Sequence, residues 1–359
     1  MKKDKKKILI FSAFYGPYVG GAERFVQEIT ERLNSNYDFI ILTSRISRKL
    51  PRIEKRKGIK IYRIGFGSKW DKYFFPILAP LKSFFIPHDL CHAVLESYAG
   101  LALFFYKVFR KKPALLTLQT QKVSIPNFLF RRIHLAPDKI HAISNALAQR
   151  AKNFGAENVE VIPNGVDLEK FKSLNFSKER HRIICVAHLK KVKGVRYLIQ
   201  AMPEVLKEFP DAKLVLIGEG PEEKRLKLKV ERLKLEKYAE FKRSLSHERI
   251  PEELAKSEVF VLPSISEGMG IAIIEAQAAG NPVIGTKVGG IPDIIEDYRT
   301  GLLVEPKNPN EIAKAIIKIF SEPGFAQNLV QNAKANLEKY DWQNIAQKVN
   351  LIYKELIKE

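Results

Sequence analysis

Short β-rich runs alternate with helix-length patterns along this chain, and the alternation occurs twice. In the first half the expected strands are Lys7–Ser12, Asp38–Leu42, Ile59–Ile64, Asp89–Val94, Ala114–Leu118, Lys139–Ile143 and Val159–Ile162. Helical patterns fall between several of them, at Ala22–Leu33, Tyr98–Phe109, Asn127–His134 and Asn145–Asn153. The second half predicts strands at Arg182–Ala187, Lys213–Ile217, Ala239–Phe241, Val259–Leu262 and Pro282–Ile284. Its helices fit Gly194–Lys207, Glu222–Leu235, Pro251–Lys256, Ile271–Ala279 and Pro309–Phe320. Such alternation predicts parallel sheets wrapped by helices. With 359 residues the chain is too long for one ordinary core. The expected class is α/β, with two doubly wound Rossmann-like domains facing a central cleft. Ligands then sit at the carboxyl ends of strands. The expected bounds are 1–173 and 174–340, with Glu169–His181 as the linker, followed by an amphipathic closing helix within 341–359.

Charge separates the two halves. Residues 1–170 carry 30 Lys and Arg against 14 Asp and Glu, a balance of +16, whereas the remainder carries 31 against 26. Either the first half meets an anionic partner, or the host makes basic proteins generally. Cys91 and Cys185 each lie in an apolar run, which predicts reduced, buried thiols. The lysine-rich start is followed by too short an apolar run for a signal segment, and no apolar run is long enough to span a membrane.

The stretch Ser266–Gly280 carries the densest chemistry. It reads as a glycine-hinged loop, with Glu267, Gly268, Met269 and Gly270, entering a helix apolar on nearly every side from Ile271. Glutamates are rarely buried without a partner, so Glu267 and Glu275 need explaining. Glu275 either caps its own helix end or holds a ligand. Gly20, Gly21 and Glu23 follow the first strand and open a helix, where a backbone can approach an anion closely. His188, Lys190, Lys191 and Lys193 also lie between a strand and a helix, as a diphosphate site or as a solvated charge run. His88 and His92 lie about 13 Å apart along a strand, too far to share one ion. Between Trp70 and Pro87 three prolines argue against one long helix. The aromatics there, flanked by Lys69, Lys72 and Lys82, either fill the core or meet a membrane interface. No Walker A run, GxSxG elbow, HExxH, Cys-x-x-Cys or DxD triplet occurs.

Taken in order, these segments resemble the retaining glycosyltransferases of family 4, which have two Rossmann-like domains in the GT-B architecture. Glu267 and Glu275, with seven residues between them, match that family's paired-glutamate motif. Pro263-Ser264, Gly268-Met269-Gly270 and Gly280-Asn281-Pro282-Val283 fit around it, and Gly20-Gly21-Ala22-Glu23 resembles the first-domain glycine loop. Ile162–Asp167, Ile217–Pro221 and Gly289–Asp293 are similar to further family segments.

The resemblance implies that Glu275 holds the donor's ribose, Glu267 the transferred sugar and Lys193 the diphosphate, with Gly21 near the distal phosphate. It places Asn164, Gly218, Gly220, Met269 and Ile271 around the donor, and returns the last helix to the first domain. Three positions depart from the pattern. His188 stands where arginine is usual, Gln119 where a histidine often follows a strand, and Arg243 where glycine is common beside the nucleobase. Gln119 hydrogen-bonds but takes no proton, so it offers no general base.

The implied activity moves a hexosyl group, with retention, from a nucleotide-diphosphate sugar to a hydroxyl of a glycan or lipid-linked acceptor. It needs no metal and no cofactor beyond the donor as co-substrate. The expected location is cytoplasmic, with peripheral contact to the inner face of an anionic membrane and no nucleic-acid partner. Two rivals stand beside it: another two-Rossmann enzyme such as a sugar-nucleotide epimerase, and a non-catalytic binder of anionic membrane or nucleic acid.

Overall fold

The computed structural model describes residues 5–17, 20–121, 125–172, 176–243, 245 and 248–358. The chain divides into two compact units, one formed by residues 1–164 with 342–359 and the other by 165–341.

The first unit holds strands β1 (Lys6–Phe11), β2 (Tyr37–Ser44), β3 (Ile53–Arg56), β4 (Ile59–Ile64), β5 (Leu90–Val94), β6 (Ala114–Leu118), β7 (Lys139–Ala142) and β8 (Val159–Val161). They form one sheet in the order β3-β4-β2-β1-β5-β6-β7-β8, parallel throughout except for the β3–β4 pair. Its helices are α1 (Gly21–Arg32), α2 (Asp71–Ser83), α3 (Tyr98–Phe109), α4 (Asn127–Leu135) and α5 (Asn145–Asn153). The strands β1, β5 and β6 are nearly continuous apolar runs because helices cover both faces of a parallel sheet. The C-terminal helix, Trp342–Ile357, packs on α1 and buries Trp342, Ile345, Val349 and Tyr353 in this core. Its Asn350 Oδ1 accepts the Tyr37 hydroxyl at 2.7 Å.

One expectation fails here. Residues 71–83 form a single helix despite Pro76 and Pro80. Both prolines are buried, and α2 packs on α3, β2 and β4, so tertiary burial outweighs the two missing backbone donors. Nor do its aromatics fill the core. Phe75 is buried, whereas Trp70, Tyr73, Phe74, Phe84 and Phe85 are exposed.

The second unit holds β9 (Arg182–Val186), β10 (Lys213–Ile217), β11 (Ala239–Lys242), β12 (Val259–Leu262), β13 (Val283–Thr286) and β14 (Leu302–Val304). Its helices are α6 (Glu169–Lys172), α7 (Val195–Glu208), α8 (Glu223–Arg232), α9 (Ile250–Ala255), α10 (Ile271–Ala278), α11 (Pro309–Ser321) and α12 (Pro323–Lys334). The sheet is wholly parallel, in the order β11-β10-β9-β12-β13-β14. Counted from β9, that is the 3-2-1-4-5-6 order of the dinucleotide-binding fold. The chain enters and leaves this unit side by side, with the Val166 N–H donating to the Tyr340 carbonyl at 2.7 Å. No helix among the described residues is long and apolar enough to cross a membrane.

Candidate functional site

In the second sheet β9 and β12 are neighbours, and the connections leaving them run in opposite directions, to β10 and to β13. Their carboxyl ends therefore flank a topological switch point, the place where doubly wound sheets bind ligands. After β9 comes a single tight turn, Lys191–Lys193, closed by Gly194 at φ +65°. After β12 comes the loop that carries Glu267. Backbone bonds join the two loops, since the Ile265 and Ser266 N–H groups both donate to the Val192 carbonyl, at 2.7 and 3.3 Å. Gly194 is required twice over. Its φ is left-handed, and a Cβ there would stand 1.9 Å from the Pro263 carbonyl oxygen.

This stitching brings Lys193 and Glu267 together. Lys193 Nζ donates to Glu267 Oε2 at 2.7 Å, and Ser264 Oγ donates to the same oxygen at 3.1 Å. Both charged side chains are partly buried. The Gly290 N–H reaches the Glu267 main-chain carbonyl at 3.4 Å, tying in the loop after β13. The residues implied for diphosphate and sugar are thus one ion pair. That pairing, and the part of Ser264 in it, are not readable from the motif spacing.

Gly270 caps α10 at φ +103°, and the cap makes no side-chain hydrogen bond. Glu275 is the fifth residue of that helix, beyond its first turn, so it does not cap its own helix end. It is half-buried. Met269 is buried, so its side chain serves packing, while Gly268 and Ile271 are partly exposed at the helix entrance.

His188 is exposed, and its Nδ1–H donates to the Glu219 carbonyl at 2.9 Å. That bond leaves Nε2 as an acceptor in the neutral ring, so His188 offers an anion a donor only when protonated. Gly218 and Gly220 lie against the same loop. A Cβ on Gly218 would meet the Ala187 carbonyl at 2.1 Å, and one on Gly220 the Leu189 carbonyl at 2.4 Å. Their first role is close packing of two loops. Val186, Ala187, His188, Gly218, Leu245 and Ile250 are among the residues lining a small cavity at the ends of β9 and β10. No motif in the sequence marks Leu245 or Ile250. Arg243 is exposed just past β11 and is not among the lining residues.

The first unit has its own switch point, between β1 and β5. Gly21 opens α1 after β1, and no atom lies within 4 Å of where its Cβ would be. The Gly20 N–H donates to Glu23 Oε2 at 2.8 Å, so Glu23 folds back on its own helix end. Gln119 and Asn164 hold each other through two amide bonds, Gln119 Nε2 to Asn164 Oδ1 at 3.2 Å and Asn164 Nδ2 to Gln119 Oε1 at 2.8 Å. Beneath them Glu96, fully buried, accepts the Gln119 N–H at 3.1 Å and pairs with Arg150. Burial pushes the Glu96 carboxyl up, and the Arg150 guanidinium pulls it back. Arg150 also donates to the Thr120 and Gln121 carbonyls at 2.7 and 2.9 Å, which fixes the loop after β6. No local pattern marks Glu96 or Arg150 in the sequence.

Among the described residues no group of three or more His, Cys, Asp or Glu side chains is placed to hold a metal. His88 bonds the Ile86 carbonyl and the Tyr106 hydroxyl, and His92 bonds Tyr353 and Thr117, all within the core.

Two family models match adjoining parts of the chain, Glycosyltransferase Family 4 over residues 19–170 and Glycosyl transferases group 1 over residues 166–336. An uncharacterized glycosyltransferase of Methanocaldococcus jannaschii is 34% identical over 216 residues, 56% of this chain and 55% of that relative. A second from the same organism is 27% identical over 371 residues, 98% of each chain. Among solved structures, the sucrose-phosphate synthase of Thermosynechococcus elongatus aligns with a TM-score of 0.86 at 21% identity, covering 99% of this chain and 100% of that one. With both halves matched and two Rossmann-like sheets of this order, the chain belongs to the family 4 glycosyltransferases.

Proposed function

We propose that this enzyme transfers a hexosyl group from a nucleotide-diphosphate sugar to a hydroxyl of a glycan or lipid-linked acceptor, with retention at the anomeric carbon. The observation that carries this reading is the Lys193–Glu267 pair at the switch point of the second sheet. A leaving diphosphate needs positive charge at the moment its bond to the sugar breaks, and Lys193 is the fixed cation there. Donor binding shares that lysine between Glu267 and the diphosphate and frees a carboxylate oxygen for a sugar hydroxyl. Glu275, on the helix that follows, is the ribose ligand. The cavity lined by Leu245 and Ile250 accepts the base. Lysine charge does the work that a divalent ion does in other transferases, so a chelator leaves turnover unchanged.

The Gln119–Asn164 pair favours a second reading. Each amide is taken up by the other, and neither accepts a proton. A non-catalytic binder that kept the fold would tolerate such a site. Incubation with a panel of labelled nucleotide sugars separates the two. Transfer to an acceptor, or slow hydrolysis of one donor, supports the enzyme, and the product's anomeric configuration tests retention. No donor binding at millimolar concentration sinks the proposal. A lipid-linked acceptor would place the protein peripherally on a membrane, on its cytoplasmic side.

A further inference from the structure

Helix α2 turns toward solvent a face that a water-exposed helix does not ordinarily carry. Its buried side is Phe75, Pro76, Ala79, Pro80 and Ser83. The opposite side repeats large apolar residues every three or four positions, Tyr73, Phe74, Ile77 and Leu81, with Trp70 before and Phe84 and Phe85 after. Each of these is between 44% and 81% exposed. An amphipathic surface helix has polar residues there, and a contiguous apolar strip this long marks an interaction surface.

The charges around the strip are of one sign. Lys69, Lys72 and Lys82 flank it, and none of the three forms an ion pair among the described residues. The Lys72 ammonium lies over the Tyr73 ring at 5.0 Å and the Lys82 ammonium over the Tyr62 ring at 5.9 Å, so both charges sit on aromatic faces and not on a carboxylate. Asp71, the acid in this helix, is buried, and its carboxylate accepts the Gly67 and Ser68 N–H groups. At the far end Arg110 stacks over Phe84 at 4.8 Å, joining α2 to the end of α3. Beyond that lies an open groove of about 520 Å3 between α3 and α4, where Phe104, Val108 and Leu135 alternate with Lys107, Arg131 and Arg132.

We propose that this face docks on an anionic lipid bilayer, with α2 lying in the interfacial plane. The aromatic row reaches headgroup depth, and the lysines and the arginine-lined groove meet lipid phosphates. Charge complementarity selects this occupant. A second copy of the chain would set lysine against lysine, since residues 1–170 already carry +16. The inference deepens the lipid-linked acceptor reading and rests on it for its purpose, while its evidence is this surface alone.

Of the two tryptophans, Trp70 is exposed and Trp342 is buried, so Trp70 is a built-in reporter of this face. The full chain is mixed at low salt with vesicles of phosphatidylcholine alone or of phosphatidylcholine with phosphatidylglycerol. The expected result is co-sedimentation with the anionic vesicles only, weakening as salt rises. Emission shifts to the blue and is quenched by brominated acyl chains. Trp70→Phe keeps most of the sedimentation and loses the shift. Ile77→Ser combined with Phe85→Ser lowers vesicle partition on the order of tenfold or more. Lys72→Glu and Lys82→Glu each lower it about fivefold. All of these residues are surface positions, so melting and donor binding stay as in the parent chain. Three results overturn the proposal: no partition into anionic vesicles, partition indifferent to Ile77→Ser with Phe85→Ser, or self-association through this face that excludes vesicles. Donor binding and transfer to a soluble acceptor need no vesicle, so failure of the surface and failure of the transferase reading are told apart.

Discussion

Lys193 and Glu267 stand 74 positions apart, and nothing local announces that they touch. Each was legible alone, the lysine from its place between a strand and a helix, the glutamate from its glycine-rich loop. What joins them is the adjacency of β9 and β12, a property of strand order that residue spacing does not encode. The same holds for Gln119 with Asn164, which follow β6 and β8, and for Glu96 with Arg150, which come from the end of β5 and from α5. A sharp expectation attaches to the lysine. Lys193→Met lowers kcat on the order of 10²–10³ fold, the scale of one electrostatic partner of a leaving group. It also lowers stability, because the Glu267 carboxylate, only 11% exposed, loses its cation and keeps Ser264. Adding Glu267→Gln returns part of that stability, and a double-mutant cycle measures the coupling, expected at about 0.5–3 kcal/mol. Turnover that survives Lys193→Met would reduce the lysine to a structural partner of Glu267.

Element bounds are legible in the sequence where periodicity and burial agree, and hidden where they oppose. The strand Ala114–Leu118 and the helices Tyr98–Phe109 and Asn145–Asn153 match their expected bounds. Helix α2 did not, because its prolines argue locally against a conformation that packing enforces. Strand β3 has no local signal in the sequence, for a different reason. Its antiparallel pairing with β4 turns on Lys57 and Gly58, both at positive φ, and lysine is not a residue that signals such a turn. Helix α10 makes the functional case. Set one turn past the Gly270 cap, Glu275 gives little to the helix dipole, whose influence fades within the first turn. Glu275→Ala should therefore weaken nucleotide binding by roughly 1.5–3 kcal/mol, the scale of a charged hydrogen bond. Amide-exchange protection of α10 should hold, since no cap is lost. Calorimetric titration read beside hydrogen exchange distinguishes the roles; unchanged binding with a frayed helix would restore the capping explanation.

Across the whole molecule the chain makes two units but closes one of them with its last helix, and the resemblance alone pointed to that return. Trp342–Ile357 fills the first core, and its Tyr353 hydroxyl meets His92 at 2.8 Å. Thr117 Oγ1 then links His92 to His141, at 2.7 and 3.0 Å, in a fully buried chain. Burial pushes His92 down to about 3 and His141 to about 4, and His134, against Phe130 and Phe154, also to about 4. In the unfolded chain all three titrate near 6.5. Below that pH the unfolded state binds protons that the folded state refuses, so stability falls as pH drops from about 6.5 toward 4. Within that window each histidine contributes a slope of up to about 1.4 kcal/mol per pH unit. All three lie in the first unit, as do both tryptophans, so tryptophan emission follows the acid-sensitive unit alone. Denaturant titrations read by that emission should lose stability steeply across this window. Burial lowers His88 of the same unit as well, so His134→Phe, which keeps an aromatic ring against Phe130 and Phe154, removes one of four such groups, and the slope should fall by up to about a quarter. An unchanged slope would mean that His134 takes its proton in the folded protein as readily as in the unfolded chain.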